Sequence, residues 1–125
     1  MAQILIAEPS DIVAMTARRI LENMGHRTER STDPQAARAM VRSGDFDLLL
    51  AAGDLGSESG LALSRALREE EGFEGETVLM LVGDEDETAM PGTQDEIAGV
   101  VEKPFDKTAL DVALSLATST DGARG

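Results

Sequence analysis

The chain has 125 residues, of which 42% are hydrophobic and 28% charged, with a formal net charge of −13 and no cysteine. This composition favours one globular domain with a real core, and it excludes disulfides, thiolate catalysis and cysteine-ligated zinc. The acidic balance argues against nucleic-acid binding, and because no apolar stretch approaches the roughly 18 residues of a membrane span, the sequence predicts a cytoplasmic protein without membrane contact.

Short apolar strands alternate with amphipathic helices through the first half of the chain. Ser10 can cap the first helix, and Gly25 suits the left-handed conformation at its end. Asp33 followed by Pro34 is an N-cap with proline at the first helical position. The second strand is polar, which favours the edge of a sheet. The predicted bounds are 4–7 for the first strand, 10–24 for the first helix, 26–30 for the second strand and 34–42 for the second helix.

The only long apolar run, residues 46–52, ends at Ala52. Such a run between turn-forming residues indicates a strand buried on both faces, as in a parallel sheet. A loop follows, and a third helix is predicted over residues 60–70. In open α/β sheets the chemistry lies just beyond the carboxyl ends of the strands, which is the place of Ala52. A methyl group there can neither attack a phosphoryl donor nor bind a metal.

The second half of the chain continues the alternation with one weak segment. A fourth strand is predicted over residues 77–82 and a short fifth strand around Val100. Between them Met-Pro-Gly at residues 90–92 would break a helix, so the fourth helical stretch is predicted to be disrupted. Asp106 can cap a last helix. Five strands alternating with five helical stretches imply right-handed crossovers and a parallel sheet covered on both sides.

Four short stretches carry a family resemblance. They are Ile4-Leu5-Ile6-Ala7-Glu8, Phe46-Asp47-Leu48, Gly60-Leu61-Ala62-Leu63 and Lys103-Pro104-Phe105. Together they resemble the receiver domain of bacterial response regulators, the CheY-like group. The resemblance implies a flavodoxin-like three-layer α/β/α sandwich with five parallel strands in the order 2-1-3-4-5. We expect one receiver-like domain over residues 1–118 and a flexible tail over residues 119–125.

The phosphorylation chemistry of this family is largely missing at the matching positions. The resemblance aligns the phosphoacceptor aspartate with Ala52, and the acidic pair after the first strand with Glu8 and Pro9. Phosphoryl transfer to a carboxylate needs a nucleophile, a divalent cation and donors for the phosphoryl oxygens, and Mg²⁺ prefers oxygen ligands in near-octahedral order. Glu8 alone is a weak candidate ligand. We therefore expect Mg²⁺ binding to be absent or weak, and no other cofactor.

Of the remaining positions of the family site, one lacks its functional group and one keeps it. The Thr or Ser that contacts the phosphoryl group aligns with Val82, which has no hydroxyl. Lys103 matches the family pattern, and the resemblance implies a cis peptide bond before Pro104 in a tight turn that places Lys103 over the site. We expect a locked site in which Lys103 is paired with Glu8 or Asp54.

The favoured interpretation is a degenerate receiver that lacks the phosphoacceptor aspartate and is not an enzyme. It would bind a histidine kinase, a phosphotransfer protein, another regulator or an output protein independently of phosphorylation. The binding face is expected on the fourth helix, fifth strand and last helix, or on the first helix; no oligomeric state is indicated. One alternative is a response regulator phosphorylated at Asp54, although loop aspartates are more often turn formers. Another is an unrelated flavodoxin-like ligand-binding domain.

Overall fold

Five parallel strands form one sheet in a computed structural model that describes residues 2–81, 97–103 and 105–114. The strands are β1 (Gln3–Ala7), β2 (Arg27–Ser31), β3 (Leu48–Ala52), β4 (Glu76–Leu81) and β5 (Gly99–Glu102). The helices are α1 (Asp11–Asn23), α2 (Pro34–Ser43), α3 (Gly60–Glu70) and a C-terminal helix described over residues 107–114. The strand order is β2-β1-β3-β4-β5, so the flavodoxin-like fold implied by the family resemblance is confirmed, with β2 at an edge.

The sheet carries a hydrophobic cluster on each face because successive side chains of a strand point to opposite sides. Leu5 of β1 packs in one cluster with Leu63 and other side chains from α2 and α3. Ile4 and Ile6 pack in the other cluster with Leu21 of α1 and with the C-terminal helix. All five residues of β3 are buried, as expected for a central strand. Within the described residues no helix is long and apolar enough to cross a membrane.

The predicted N-caps are present. The side-chain oxygens of Ser10, Asp33 and Asp106 accept hydrogen bonds from backbone N–H groups three residues later, at 3.3, 2.8 and 2.9 Å. Ser59 caps α3 in the same way at 3.0 Å, which the sequence analysis did not predict. Each such cap contributes about 1 kcal/mol to helix stability.

The predicted start of β2 was wrong by one residue. Gly25 has a φ of 93° and ends α1, and its N–H donates to the Glu22 carbonyl. The N–H of His26 donates to the Leu21 carbonyl, which completes the helix-ending motif. His26 therefore closes the turn that follows α1, and β2 begins at Arg27.

The predicted start of β3 was also early, by two residues. Asp47 precedes the strand and is bonded to Gln3 at the start of β1: its N–H donates to the Gln3 carbonyl at 2.8 Å, and its Oδ2 accepts from the Gln3 N–H at 2.9 Å. The strand begins at Leu48. The predictions of a disrupted fourth helix, a domain end at residue 118 and a flexible tail fall outside the described residues.

Gly60 lets α3 lie directly against the end of β3. A Cβ atom at this position would overlap the carbonyl oxygen of Ala52. The Gly60 N–H donates to the Gly53 carbonyl at 3.0 Å, and the Gly53 N–H donates to the Met80 carbonyl of β4 at 2.8 Å. These contacts fix the main chain around Ala52, so the carboxyl end of the central strand is a rigid part of the fold.

His26 gives the fold a specific pH dependence. Its Nδ1 accepts a hydrogen bond from the Ala2 N–H at 3.0 Å, which requires an unprotonated nitrogen. Burial, and then the positive charge of the amino terminus, hold the pKa of His26 below its ordinary value of 6.5. The unfolded chain therefore takes up this proton at a higher pH than the folded chain. We predict that the free energy of unfolding falls as the pH drops through about 6.5, and that the loss levels off below the folded pKa.

Urea unfolding of the wild type and of His26→Asn, measured between pH 7.5 and pH 5, checks this prediction. Asparagine offers an oxygen in place of Nδ1 but does not titrate, so the variant should lack this component of the pH dependence. Equal pH profiles for the two proteins would contradict it.

Candidate functional site

The candidate site lies where β1 and β3 end side by side at the carboxyl edge of the sheet. Ala7 pairs in register with Ala51, so Glu8, the first residue after β1, lies level with Ala52, the last residue of β3. Ala52 is buried, and its side chain is a methyl group at the centre of this edge. The chemistry of the site therefore depends on the side chains around that methyl group.

Glu8 places a carboxylate in the interior, where it is only 2% exposed. Its Oε1 lies 2.7 Å from Nζ of Lys103, whose side chain is 16% exposed. The contact is an ion pair at an angle outside hydrogen-bond geometry. Oε2 accepts a hydrogen bond from the Ser10 N–H at 2.9 Å. Both carboxylate oxygens are thus engaged, and the predicted pairing of Lys103 is with Glu8.

Arg30 of β2 holds the loop between β1 and α1, and the sequence analysis missed this role. Its Nε and Nη2 donate to the Glu8 carbonyl at 3.1 and 2.8 Å. Nη2 also donates to the Pro9 carbonyl at 3.1 Å, and Nη1 donates to Asp11 Oδ1 at 2.7 Å. One guanidinium therefore binds three acceptor groups along the turn from β1 into α1.

The register of β1 and β2 explains how Arg30 reaches the loop. Arg30 pairs with Ile6, and paired residues of parallel strands point to the same face, here the face covered by α1. The pairing continues past β1 because the Glu8 N–H donates to the Ser31 carbonyl at 3.1 Å. The one signal in the sequence was an arginine next to the end of a strand, which the sequence analysis had explained as protection of a sheet edge.

Asp54 is part of a turn in the loop before α3. Its Oδ1 accepts a hydrogen bond from the Gly56 N–H at 2.8 Å, and Gly56 has a φ of 92°. Asp54 also forms an isolated bridge with Ser59. The carboxylate is exposed, and its observed hydrogen bond is that of a turn former.

Two predicted site residues, Val82 and Pro104, lie outside the described residues, as does the predicted cis peptide bond.

The described residues of this site do not fit a magnesium ion. The oxygens of Glu8 are engaged by Lys103 and Ser10, and the carbonyl of Pro9 is bonded to Arg30. Mg²⁺ is held in proteins by one or two carboxylates together with phosphate and water. Ala52 supplies no oxygen, and the described part of the chain contains no group of three or more His, Cys, Asp or Glu side chains that could hold a metal ion.

An apolar groove of about 120 Å³ leads from Lys103 to the surface of α1. It is lined by Ile12, Val13, Thr16, Lys103 and Phe105. Ile12 is 79% exposed, and Met15, one turn along α1, is 60% exposed. The buried ion pair is therefore next to an apolar patch that the described residues leave uncovered.

A parallel sheet in this order, with a lysine paired to a carboxylate at the end of β1, is the arrangement expected of the receiver class. The family model for the response regulator receiver domain matches residues 4–115. The chain therefore belongs to the response regulator receiver domain family, which decides against an unrelated flavodoxin-like domain.

Solved structures show the same fold at low sequence identity. A CheY-like receiver domain from Methylobacillus flagellatus is 23% identical with a TM-score of 0.81, over 93% of this chain and 98% of that one. NtrX from Brucella abortus is 23% identical with a TM-score of 0.87, over 98% of this chain and 28% of that one. The chemotaxis regulator CheY4 of Vibrio cholerae is 20% identical with a TM-score of 0.81, over 92% of this chain and 97% of that one. No curated protein matches the chain.

The ion pair of Glu8 and Lys103 should show as an energetic coupling. Lys103→Met leaves the buried carboxylate without its cation, and we expect it to lower the free energy of unfolding by roughly 2–3 kcal/mol. Glu8→Gln should cost less, because Lys103 is nearer to solvent. The double variant should be more stable than the sum of the two losses predicts, by about 1 kcal/mol or more.

Urea unfolding of the four proteins measures this coupling. Lys107→Met is the matched control, since Lys107 is exposed, and its loss should lie within about 0.5 kcal/mol of zero. Strictly additive losses for Glu8 and Lys103 would contradict the coupling.

Proposed function

We propose that this receiver domain of two-component signalling is a degenerate receiver: a non-enzymatic module that binds a signalling protein independently of phosphorylation. The observation that carries the proposal is the ion pair of Lys103 and Glu8, 2.7 Å long, beside the methyl group of Ala52. The charge that a receiver would direct at a phosphoryl group is here neutralised within the chain.

The chemistry of phosphoryl transfer supports the proposal. An acyl phosphate forms when a carboxylate attacks phosphorus, with a divalent cation and donors that stabilise the charge on the phosphoryl oxygens. At the position that the family resemblance assigns to the acceptor, Ala52 offers no nucleophile. The neighbouring carboxylate, Glu8, is bound at both oxygens. The site therefore lacks a nucleophile for the attack on phosphorus and a free carboxylate for the divalent cation.

We predict that the protein gains no phosphoryl mass when it is incubated with acetyl phosphate and Mg²⁺. Intact-mass spectrometry measures this outcome, with an active receiver treated in parallel to show that the reagent works. A gain of one phosphoryl group by the wild type would contradict the proposal. If that gain disappeared in Asp54→Ala, the alternative of a response regulator with a displaced acceptor would be supported instead.

The surface of α1 is the better supported of the two expected binding faces. Ile12 and Met15 are exposed, and the groove beside them reaches Lys103 of the site. Val100 of β5 and Val112 of the C-terminal helix are exposed as well, but neither lines this groove. Large exposed apolar side chains that lie together mark binding surfaces, whereas single ones are ordinary. We therefore place the partner, a kinase, phosphotransfer or regulator protein, on α1.

We predict that Ile12→Asp weakens binding of the partner at least tenfold, because it puts a charge where apolar surface is to be buried. The matched control is Val112→Asp, an exposed valine on another helix, which should keep the affinity. Partners recovered from the source cells are identified, purified and titrated against the three proteins, with and without acetyl phosphate. Loss of binding in Val112→Asp alone would move the binding face to β5 and the C-terminal helix.

A further inference from the structure

The turn between β1 and α1 is held by a cation that belongs to the chain. Arg30 makes four hydrogen bonds to this turn, at 2.7 to 3.1 Å, and its side chain is 20% exposed. Three of the four go to main-chain carbonyls, of Glu8 and Pro9, and the fourth goes to the Asp11 carboxylate. Two carbonyl oxygens and one carboxylate oxygen of this turn therefore bind the same guanidinium.

A guanidinium suits this position better than any other protein cation. It presents five N–H donors in a rigid plane, and it keeps its charge at any pH that a protein survives. All three guanidinium nitrogens of Arg30 are used here: Nε and Nη2 donate to the Glu8 carbonyl, and Nη1 donates to Asp11. A lysine has one nitrogen on a flexible stem and could not reach the same acceptors together.

Lys103 completes the arrangement from the other side. Glu8 is bound at its carbonyl by Arg30 and at its carboxylate by Lys103 and the Ser10 N–H. The residues around this turn do not fit a magnesium ion, yet two side-chain cations, Arg30 and Lys103, contact its oxygens. We propose that Arg30, together with Lys103, serves as a fixed internal cation that keeps the turn in one conformation without a divalent ion.

This inference goes beyond the proposed function and does not depend on it. The proposed function concerns the fate of a phosphoryl group, and the internal cation concerns what orders the turn. The test is Arg30→Gln, which keeps a polar side chain and removes the charge. Its matched control is Arg27→Gln, on the same strand, where the arginine side chain is exposed.

Amide hydrogen exchange, read by NMR on the full chain with and without millimolar Mg²⁺, gives the result. The Glu8 and Ser10 amides of the turn are hydrogen-bonded, to the Ser31 carbonyl and to Glu8 Oε2, and in the wild type their exchange should not respond to Mg²⁺. In Arg30→Gln these amides should exchange about tenfold faster, while a core amide such as that of Leu50 changes much less. Arg27→Gln should behave like the wild type.

Arg30→Lys separates the effect of the charge from that of the planar guanidinium. The variant keeps the charge and loses the planar set of N–H donors, so its exchange rates should lie between those of the wild type and of Arg30→Gln.

Two results would overturn the inference: a wild-type turn that responds to Mg²⁺, or an Arg30→Gln turn that exchanges no faster than that of Arg27→Gln. Neither bears on phosphorylation. Conversely, a phosphoryl gain by the wild type would overturn the proposed function and leave the exchange result standing.

Discussion

The buried charge of Glu8 is the constraint on which the site depends. An ionised carboxylate removed from water costs several kcal/mol unless it is paired and hydrogen-bonded. Glu8 finds an ammonium in Lys103, from the segment after β5, and a backbone N–H in Ser10, at the start of α1. One side chain of β1 thereby joins two other parts of the fold. Its position at the strand end follows from the register of β1 with β3, so the sheet itself determines which groups can meet it.

Local rules predicted most of the fold, because the signals for strands and helix ends act over a few residues. Ser10, Asp33 and Asp106 are recognisable caps, and residues 48–52 form the buried strand that their apolar run predicted. The order of the strands came from the family resemblance, since periodicity does not say which strands are adjacent. The starts of β1 and β4 were predicted one residue late, at residues 4 and 77 instead of Gln3 and Glu76. The two strands predicted to start too early did so where a residue bonds to another element: His26 to the end of α1 and Asp47 to β1.

The site was predictable only in part, and for a similar reason. Glu8 and Lys103 occupy positions named by the family pattern, and opposite charges at such positions favour pairing, so their contact could be expected. Arg30 occupies no such position. Its role depends on the register between β1 and β2, which places it beside Ile6 and on the α1 face, and on a turn that exposes two carbonyls to it. Neither the register nor the shape of the turn can be predicted from Arg30 alone. Its place in a polar strand was already explained by the position of that strand at the sheet edge.

A switch needs two states whose balance an outside event can change. Phosphorylation changes the balance by adding about two negative charges, with which a nearby cation can then pair. Here Lys103 is matched by Glu8 and Arg30 by Asp11, so each cation of the site already has its own anion. A carboxylate at position 52 would compete with Glu8 for Lys103, and the methyl group of Ala52 removes that competition. A site balanced in this way favours one conformation, which supports the proposal that a partner binds the surface independently of phosphorylation. Among the described residues, the groove from Lys103 to Ile12 connects the site with the surface of α1.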